Sequence, residues 1–147
     1  MHNGFLLDTN VLSELMRAKP SEQVLAWFSQ NGTAPMFTSA ITQAEILTGI
    51  ALLPAGKRRS ALAVASDAMF DLDFAGRCLA FDSAAAKLQA LVVAARTAQG
   101  RPVTAEDSLI AAIALAAGLT VVTRNTKDFE NIEGLSLASP WQAAPSH

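Results

Sequence analysis

Short apolar runs alternate with longer apolar or amphipathic stretches along this chain. The short runs end at turn or helix-capping residues, as buried strands do. They predict strands over 4–8, 36–39, 79–82, 119–123 and 135–138. The longer stretches predict helices over 11–17, 21–30, 40–53, 57–71, 83–99 and 104–118. This alternation is typical of parallel strands covered by helices on both faces, so we predict an α/β fold.

Two of the predicted helices are almost free of charge. The stretch 40–53 contains only Glu45 as a charged residue, and the sequence SLIAAIALAAG after Asp107 contains none. A helix that is apolar nearly all round is buried, so we expect both helices to lie in the core. In parallel α/β sheets the functional site lies beyond the carboxyl ends of the strands. Acidic residues recur at or near those ends in this chain.

Size and composition fit one compact domain over residues 1–147, because the chain is 51% hydrophobic and only 16% charged. No apolar stretch approaches the ~20 residues that cross a bilayer. The start of the chain lacks the basic and long apolar segments of a signal peptide. We therefore expect no membrane association and a cytoplasmic location.

The residue composition argues against most enzyme mechanisms. The two histidines, His2 and His147, lie at the chain ends, Cys78 is the only cysteine, and tyrosine is absent. Histidine is the commonest general base at neutral pH, so serine triads, cysteine–histidine pairs and histidine zinc motifs are not expected. If the protein is an enzyme, carboxylates carry the reaction, together with a metal ion.

The net charge of −2 argues against binding nucleic acid through a bulk positive field. It does not exclude a nucleic-acid enzyme whose acids bind cations and whose basic residues are clustered. Two basic clusters exist, residues 57–59 (KRR) and the pair Arg17 and Lys19. Each is either solvated surface or a local contact to nucleic acid.

Asp8 ends the first predicted strand in GFLLDTN. Asp is a favoured helix N-cap, but Thr9 and Asn10 follow at once and could cap the same helix. Three capping residues in a row are redundant, which favours another role for Asp8.

Glu45 and Asp107 are the acids of the two nearly uncharged helices. A buried carboxylate must be paired or bind metal, so Glu45 is a candidate ligand. Its alternative is a solvated helix edge or a structural salt bridge. Asp107 follows Thr104 in TAED, which fits a capping box, and Glu106 competes with it as the acid of the first helical turn. The helix would nevertheless point its acids toward the strand ends.

Asn125 and Asp128 follow the strand end in VVTRNTKDFEN. Loops of this kind often turn through Asn and Asp for backbone reasons, so each alone is a weak signal. The remaining acids are expected to cap a helix (Asp82) or to lie at exposed positions (Glu14, Glu22, Asp67, Asp71, Asp73, Glu130 and Glu133).

Converging carboxylates raise one another's pKa unless a divalent cation neutralises them. Oxygen ligands without cysteine or histidine suit a hard ion such as Mg²⁺ or Mn²⁺. Such an ion can orient a phosphodiester, lower the pKa of a bound water and stabilise charge on the reacting oxygens. This chemistry is open to a nuclease that has no histidine.

Four motifs, LLDTNVLSEL, SAITQAEILTGIALLPAGKRR, AEDSLIAAIALAAGLTVVTRNTKDF and the closing SPW, together resemble a PIN-domain protein. The resemblance is strongest to the VapC-type toxins of bacterial toxin–antitoxin pairs, in their FitB-like branch, and it covers nearly the whole chain. It implies a PIN-like three-layer α/β/α fold with a short-stranded, mainly parallel central sheet. It also implies a Mg²⁺- or Mn²⁺-dependent endoribonuclease that is homodimeric and is inhibited by a VapB-like antitoxin.

The resemblance places the family's first three acids, which hold the metal, on Asp8, Glu45 and Asp107. It assigns Asn10 to support Asp8 by a hydrogen bond. Our hypothesis is that Asp8 and Asp107 hold the principal metal ion. Glu45 either helps to hold it or positions the attacking water.

The fourth acid has two candidate positions. Some relatives resemble T-R-D here, which places the acid at Asn125; others resemble T-x-N-x-x-D-F, which this chain matches with Asp128. Thr123, Asn125 and Asp128 would then complete the site beside the phosphate. Since an Asn brings no charge, the number of metal ions stays open, as does the choice between Mg²⁺ and Mn²⁺.

Two other functions compete with this interpretation. A haloacid-dehalogenase-like phosphotransfer enzyme also begins with an Asp after a strand, but it needs a second Asp where this chain has Asn10. A PIN-fold module that binds RNA or protein without turnover is the second alternative.

Overall fold

The computed structural model describes residues 4–142. Its strands are β1 Phe5–Leu7, β2 Met36–Ser39, β3 Cys78–Leu79, β4 Thr120–Val122 and β5 Leu137–Ala138. Its α-helices are α1 Thr9–Leu15, α2 Glu22–Gln30, α3 Ala40–Ala51, α4 Lys57–Ala68, α5 Ser83–Ala98 and α6 Ala105–Ala117. A π-helical turn, Met69–Asp73, extends α4, and a 3₁₀ turn, Thr126–Phe129, follows β4.

The five strands form one sheet in the order β3-β2-β1-β4-β5, and every pairing is parallel. Strand β1 lies at the centre, where Phe5 is in register with Met36 of β2 and Thr120 of β4. The predicted parallel α/β sheet is therefore confirmed. Because β1 and β4 are neighbours, the residues that follow them meet at the same edge.

Successive side chains of the central strands enter two different cores. Leu6 and Val121 pack with α5 and α6 on one face, and Phe5, Leu7 and Val122 pack with helices α1–α4 on the other. This two-sided burial follows from the alternation of side chains along a strand. It produces the three layers expected of a PIN-like fold.

Helix α6 is central, as its uncharged sequence predicted. Residues Ser108 and Ile110–Ala114 are buried, and the helix ends at Gly118, whose φ of 69° is left-handed. Glycine adopts this conformation without steric cost.

The prediction that α3 is buried all round is wrong. Only Thr42, Ile46 and Ile50 are buried, at a spacing of four residues that marks a single stripe. Leu47 and Leu52 on the other sides are 40% and 80% exposed. The helix covers the sheet along one stripe and faces solvent elsewhere.

Strand β2 has the predicted bounds, the other four strands are shorter than predicted, and most helices start or stop within a few residues of the predicted bounds. Helix α1 begins at Thr9 because Asp8 is its N-cap. Within residues 4–142, every helix is too short or too polar to cross a membrane.

Candidate active site

The four acids singled out from the sequence line one pocket at the carboxyl edge of the sheet. Asp8 follows β1, Glu45 lies on α3, Asp107 lies in the first turn of α6, and Asp128 lies in the 3₁₀ turn after β4. Asn10 and Asn125 line the same pocket. The structure thus brings together four acids that are far apart in sequence.

Asp8 is held rigidly and is only 7% exposed. Its Oδ1 accepts from the backbone amide of Thr9 at 2.8 Å, and its Oδ2 accepts from the Thr123 hydroxyl at 2.8 Å. Burial raises the pKa of Asp8, and these two hydrogen bonds offset part of that rise. The carboxylate therefore caps α1 and faces the pocket at the same time.

Asn10 and Thr123 make hydrogen bonds that hold the Asp8 carboxylate and the loop after β4 in place. The predicted hydrogen bond from Asn10 Nδ2 to Asp8 Oδ2 is present but long, at 3.5 Å. The Oδ1 of Asn10 accepts from the Arg124 backbone amide at 3.0 Å. Thr123 is fully buried, so it acts through its hydrogen bond to Asp8 and does not line the pocket. Asn10 ties the start of α1 to the loop after β4.

Glu45 is exposed, so the expectation that it is buried on an apolar helix is wrong. It faces the pocket from the solvent side of α3. Its Oε1 accepts from the Thr9 hydroxyl at 3.0 Å, and that hydroxyl lies 3.2 Å from the Thr42 hydroxyl. Glu45 is therefore oriented by α1, not by burial among apolar groups.

Asp107 combines a structural and an electrostatic role. Its backbone amide donates to Thr104 Oγ1 at 3.2 Å, which confirms Thr104 as the N-cap of α6. Burial raises the pKa of its carboxyl to about 6, with smaller contributions from the charges of Asp8, Asp128 and Glu106. Glu106 is exposed and does not line the pocket, which separates the two acids of this turn.

Asp128 and Asn125 both line the pocket, so the two candidate positions for the fourth acid are neighbours. Asp128 sits in the 3₁₀ turn, where its backbone amide donates to the Asn125 carbonyl at 3.0 Å. The adjacent Phe129 is buried and anchors this turn to the core below α6.

Sequence reasoning missed Arg96, a buried arginine of α5. Its guanidinium donates to the backbone carbonyls of Arg101, Asp128 and Glu130 at 2.7, 3.2 and 2.9 Å. It thereby fixes the loop before α6 and the turn that carries Asp128. The signal was present, since Arg96 is the only charged residue between Lys87 and Arg101.

Glu14 was expected to be exposed, but it is buried at 6% exposure and lines the pocket. It accepts from the Ser21 backbone amide at 3.0 Å and from Arg17 Nη1 at 3.3 Å. The pKa of Glu14 is lowered, mainly by the Ser21 hydrogen bond and then by Arg17. Its charge is satisfied internally because the chain folds back at Pro20 and Ser21.

The donor chemistry of the pocket fits a hard divalent ion. Within the described part of the chain, no group of three or more His, Cys, Asp or Glu side chains is arranged to hold a metal ion. Mg²⁺ does not require one, because it binds through one or two carboxylates together with waters and substrate phosphates. The raised pKa values of Asp8 and Asp107 mark carboxylates whose ionised forms a cation would favour.

A five-stranded parallel sheet with helices on both faces and an acidic pocket at its carboxyl edge defines the class of this protein. Residues 5–135 match the PIN domain, and the chain belongs to the PIN-domain family. Within the family it falls among the VapC-type proteins of the FitB-like branch.

Three relatives support this assignment. The chain is 44% identical over 138 residues to the plasmid stability protein StbB of Pseudomonas syringae pv. tomato, covering 94% of this chain and 99% of StbB. It is 40% identical over 139 residues to the VapC ribonuclease Y4jK of Sinorhizobium fredii, covering 95% and 99%. It matches the solved structure of FitAB bound to IR36 DNA fragment with a TM-score of 0.87 and 36% identity, covering 97% and 99%. The resemblance seen in the sequence motifs is confirmed.

Proposed function

We propose that this chain is a metal-dependent endoribonuclease, the toxin of a toxin–antitoxin pair. The observation that carries the proposal is the convergence of four acids from β1, α3, α6 and the loop after β4 on one pocket. Similarity to a protein named VapC ribonuclease supports RNA as the substrate. The absence of histidine from the described residues 4–142 leaves carboxylates as the acid–base groups of this pocket.

Asp8 and Asp107 would hold the principal Mg²⁺ or Mn²⁺, with Glu45 as a further ligand or as the residue that orients the attacking water. The ion would lower the pKa of its bound water and would neutralise charge on the phosphate. All of these donors are carboxylate oxygens, which hard ions prefer.

The chain's own residues set the geometry for this chemistry. The Thr9 amide and the Thr123 hydroxyl fix the Asp8 carboxylate in one orientation. The Thr9 hydroxyl holds Glu45 Oε1, so that the exposed carboxylate can orient a water and accept its proton. Asp128 and Asn125 would lie beside the phosphate, one with a charge and the other with a neutral amide. The expected products carry a 5′-phosphate and a 3′-hydroxyl.

We propose a VapB-like antitoxin as the inhibitor, with the toxin as a homodimer that forms a hetero-oligomer with it in the cytoplasm. The support is the match, over nearly the whole chain, to the FitAB structure bound to IR36 DNA fragment. This proposal concerns regulation and is separate from the chemistry of the pocket.

A phosphotransfer enzyme of the two-aspartate type is disfavoured by the position of Asn10. That residue occupies the place of the required second Asp, and its amide oxygen is committed to the Arg124 backbone amide at 3.0 Å. A neutral amide also has no titratable proton, so Asn10 cannot act as a general acid.

The test uses the purified, antitoxin-free protein with total bacterial RNA. We expect cleavage when Mg²⁺ or Mn²⁺ is added and none when EDTA removes the metal, with product ends mapped by sequencing. Cleavage that continues undiminished in EDTA would contradict the metal-dependent mechanism. If no divalent metal supports cleavage of any RNA, the chain is a binding module and the proposal fails.

A further inference from the structure

Arg124 is a cation in the acidic pocket. It follows the buried Thr123 directly and lines the pocket together with Asp8, Asp107 and Asp128. Its backbone is fixed, because its amide donates to Asn10 Oδ1 at 3.0 Å. Its side chain is exposed to solvent.

Within residues 4–142 the guanidinium of Arg124 forms no ion pair with the pocket carboxylates, although its charge makes a small contribution to the lowered pKa of Glu14. Its central carbon lies 5.0 Å from the centre of the Trp141 ring, in a cation–π contact. Within residues 4–142 its side chain makes no hydrogen bond or ion pair to another side chain. The other arginine of the pocket, Arg17, is paired with Glu14. Arg124 therefore keeps its hydrogen-bond donors available.

Trp141 is a fixed platform for this arginine. It packs at the margin of the core formed by Phe5, Leu7 and Val122. Its carbonyl accepts from Gln23 Nε2 at 2.8 Å, and its amide donates to Ser139 Oγ at 3.3 Å. The segment after β5 is thus tied to α2 and brings an aromatic face to the mouth of the pocket. An aromatic face holds a guanidinium without consuming its in-plane donors.

We propose that Arg124 binds an RNA backbone phosphate next to the scissile bond and that Trp141 is its positioning residue. The inference rests on the proposed ribonuclease function. A polyanion that enters a pocket lined by five acids needs a local cation, and a guanidinium fork matches the oxygens of a phosphate. Stacking on Trp141 keeps Arg124 from collapsing onto the neighbouring carboxylates when RNA is absent.

RNA binding tests the proposal without cleavage when it is measured in an Asp8→Asn background. The probe is a fluorescein-labelled single-stranded RNA oligonucleotide, and the readout is the Kd by anisotropy over a range of salt concentrations. We expect Arg124→Ala to raise the Kd about tenfold or more at low salt. The slope of log Kd against log salt should fall by about 0.7, the loss of one phosphate contact on a single strand.

The Trp141 variants test whether this residue acts through Arg124. Trp141→Leu keeps an apolar side chain against the core but removes the aromatic face, and it should reproduce part of the Arg124→Ala effect. Trp141→Phe should restore binding. The double variant Arg124→Ala with Trp141→Leu should bind no worse than Arg124→Ala alone, because the tryptophan then has no arginine to hold.

Lys87→Ala is the matched control, since Lys87 is an exposed cation of α5 that does not line the pocket. It should leave both the Kd and the salt slope unchanged. If Arg124→Ala behaves like Lys87→Ala, or if the effects of the Arg124 and Trp141 changes simply add, the inference is wrong. That result would leave metal-dependent cleavage by the wild type, and hence the proposed function, intact.

Discussion

At the scale of single residues, Asp8 caps α1 and also lines the pocket, so its capping role does not exclude the metal-binding role that we propose for it. One carboxylate oxygen caps α1, and the other accepts a hydrogen bond from the Thr123 hydroxyl. Capping needs only an acceptor oxygen, which Asn also has, whereas binding a metal ion draws on the negative charge. An Asp8→Asn variant therefore removes the charge and keeps the cap.

The electrostatic cost of the metal-free site can be measured at Asp107. Its folded-state pKa is raised from 3.8 to about 6, so the folded protein binds a proton more tightly than the unfolded chain does. The stability contributed by the protonated group is present below the unfolded pKa and is lost as pH rises through the folded pKa. We expect Asp107→Asn to stabilise the metal-free protein at pH 7 by roughly 1 kcal/mol, after screening at this half-buried site is taken into account.

Urea denaturation in EDTA at several pH values checks this prediction. The extra stability of Asp107→Asn over wild type should shrink as the pH is lowered toward 3.8, the pKa of this carboxyl in the unfolded chain. Glu106→Gln is the comparison, because it removes the other acid of the same helical turn, which does not line the pocket and makes the smallest contribution to the raised pKa of Asp107. If Asp107→Asn is less stable than wild type at pH 7, while the stability of Glu106→Gln is unchanged, then the ionised Asp107 carboxylate does not destabilise the metal-free protein.

At the scale of elements, Arg96 joins the two segments that carry Asp107 and Asp128. We expect Arg96→Met to lower the free energy of unfolding by about 2–4 kcal/mol, because three backbone carbonyls lose charge-assisted hydrogen bonds from the buried arginine. RNA cleavage should also slow, since the turn bearing Asp128 loses its anchor to α5. Arg96→Lys keeps the charge and should recover only part of both losses, because an ammonium group cannot match the planar fork.

Arg101→Ala is the comparison for Arg96. It removes an exposed ion pair with Glu130 at 3.5 Å but keeps the Arg101 backbone carbonyl that Arg96 binds. Such exposed pairs contribute at most about 1 kcal/mol. Urea denaturation that finds Arg96→Met as stable as Arg101→Ala would contradict the anchoring role.

The contrast between α6 and α3 shows what the sequence pattern can and cannot predict about the burial of a helix. Both read as nearly uncharged helices, yet α6 is buried along most of its length, whereas α3 buries one stripe and exposes Leu47 and Leu52. Composition measures how apolar a helix is but not how many of its sides other elements cover. Glu45 does line the pocket, but it is exposed, so the burial argument that singled it out is wrong.

The sequence pattern could not predict contacts between a side chain and a backbone group of another segment. Glu14 was expected at an exposed position. It is buried because Ser21, after the turn at Pro20, donates its amide to the carboxylate. Such a partner depends on the path of the chain, which periodicity does not encode. The N-caps Ser21, Asp82 and Thr104 were predictable, because each acts within three residues of itself.

At the scale of the whole molecule, the site exists only because of the sheet order. Strands β1 and β4 are adjacent and parallel, so Asp8 and the loop with Asn125 and Asp128 leave the sheet at the same edge. Helices α3 and α6 then add Glu45 and Asp107 from either side. The rule that parallel strands present their sites at their carboxyl ends predicted this convergence, and the motif order identified the family.

The account's central claim is that the charge of Asp8 supports metal-dependent RNA cleavage. The direct measurement is the rate of RNA cleavage against Mn²⁺ concentration for wild type, Asp8→Asn and Asp82→Asn. Asp82 is a matched control, because it also caps a helix after a strand, accepting from the Ala85 amide at 2.9 Å, yet it does not line the pocket. We predict wild-type rates for Asp82→Asn and a loss of at least about a hundredfold for Asp8→Asn. Equal cleavage by all three proteins would contradict the claim.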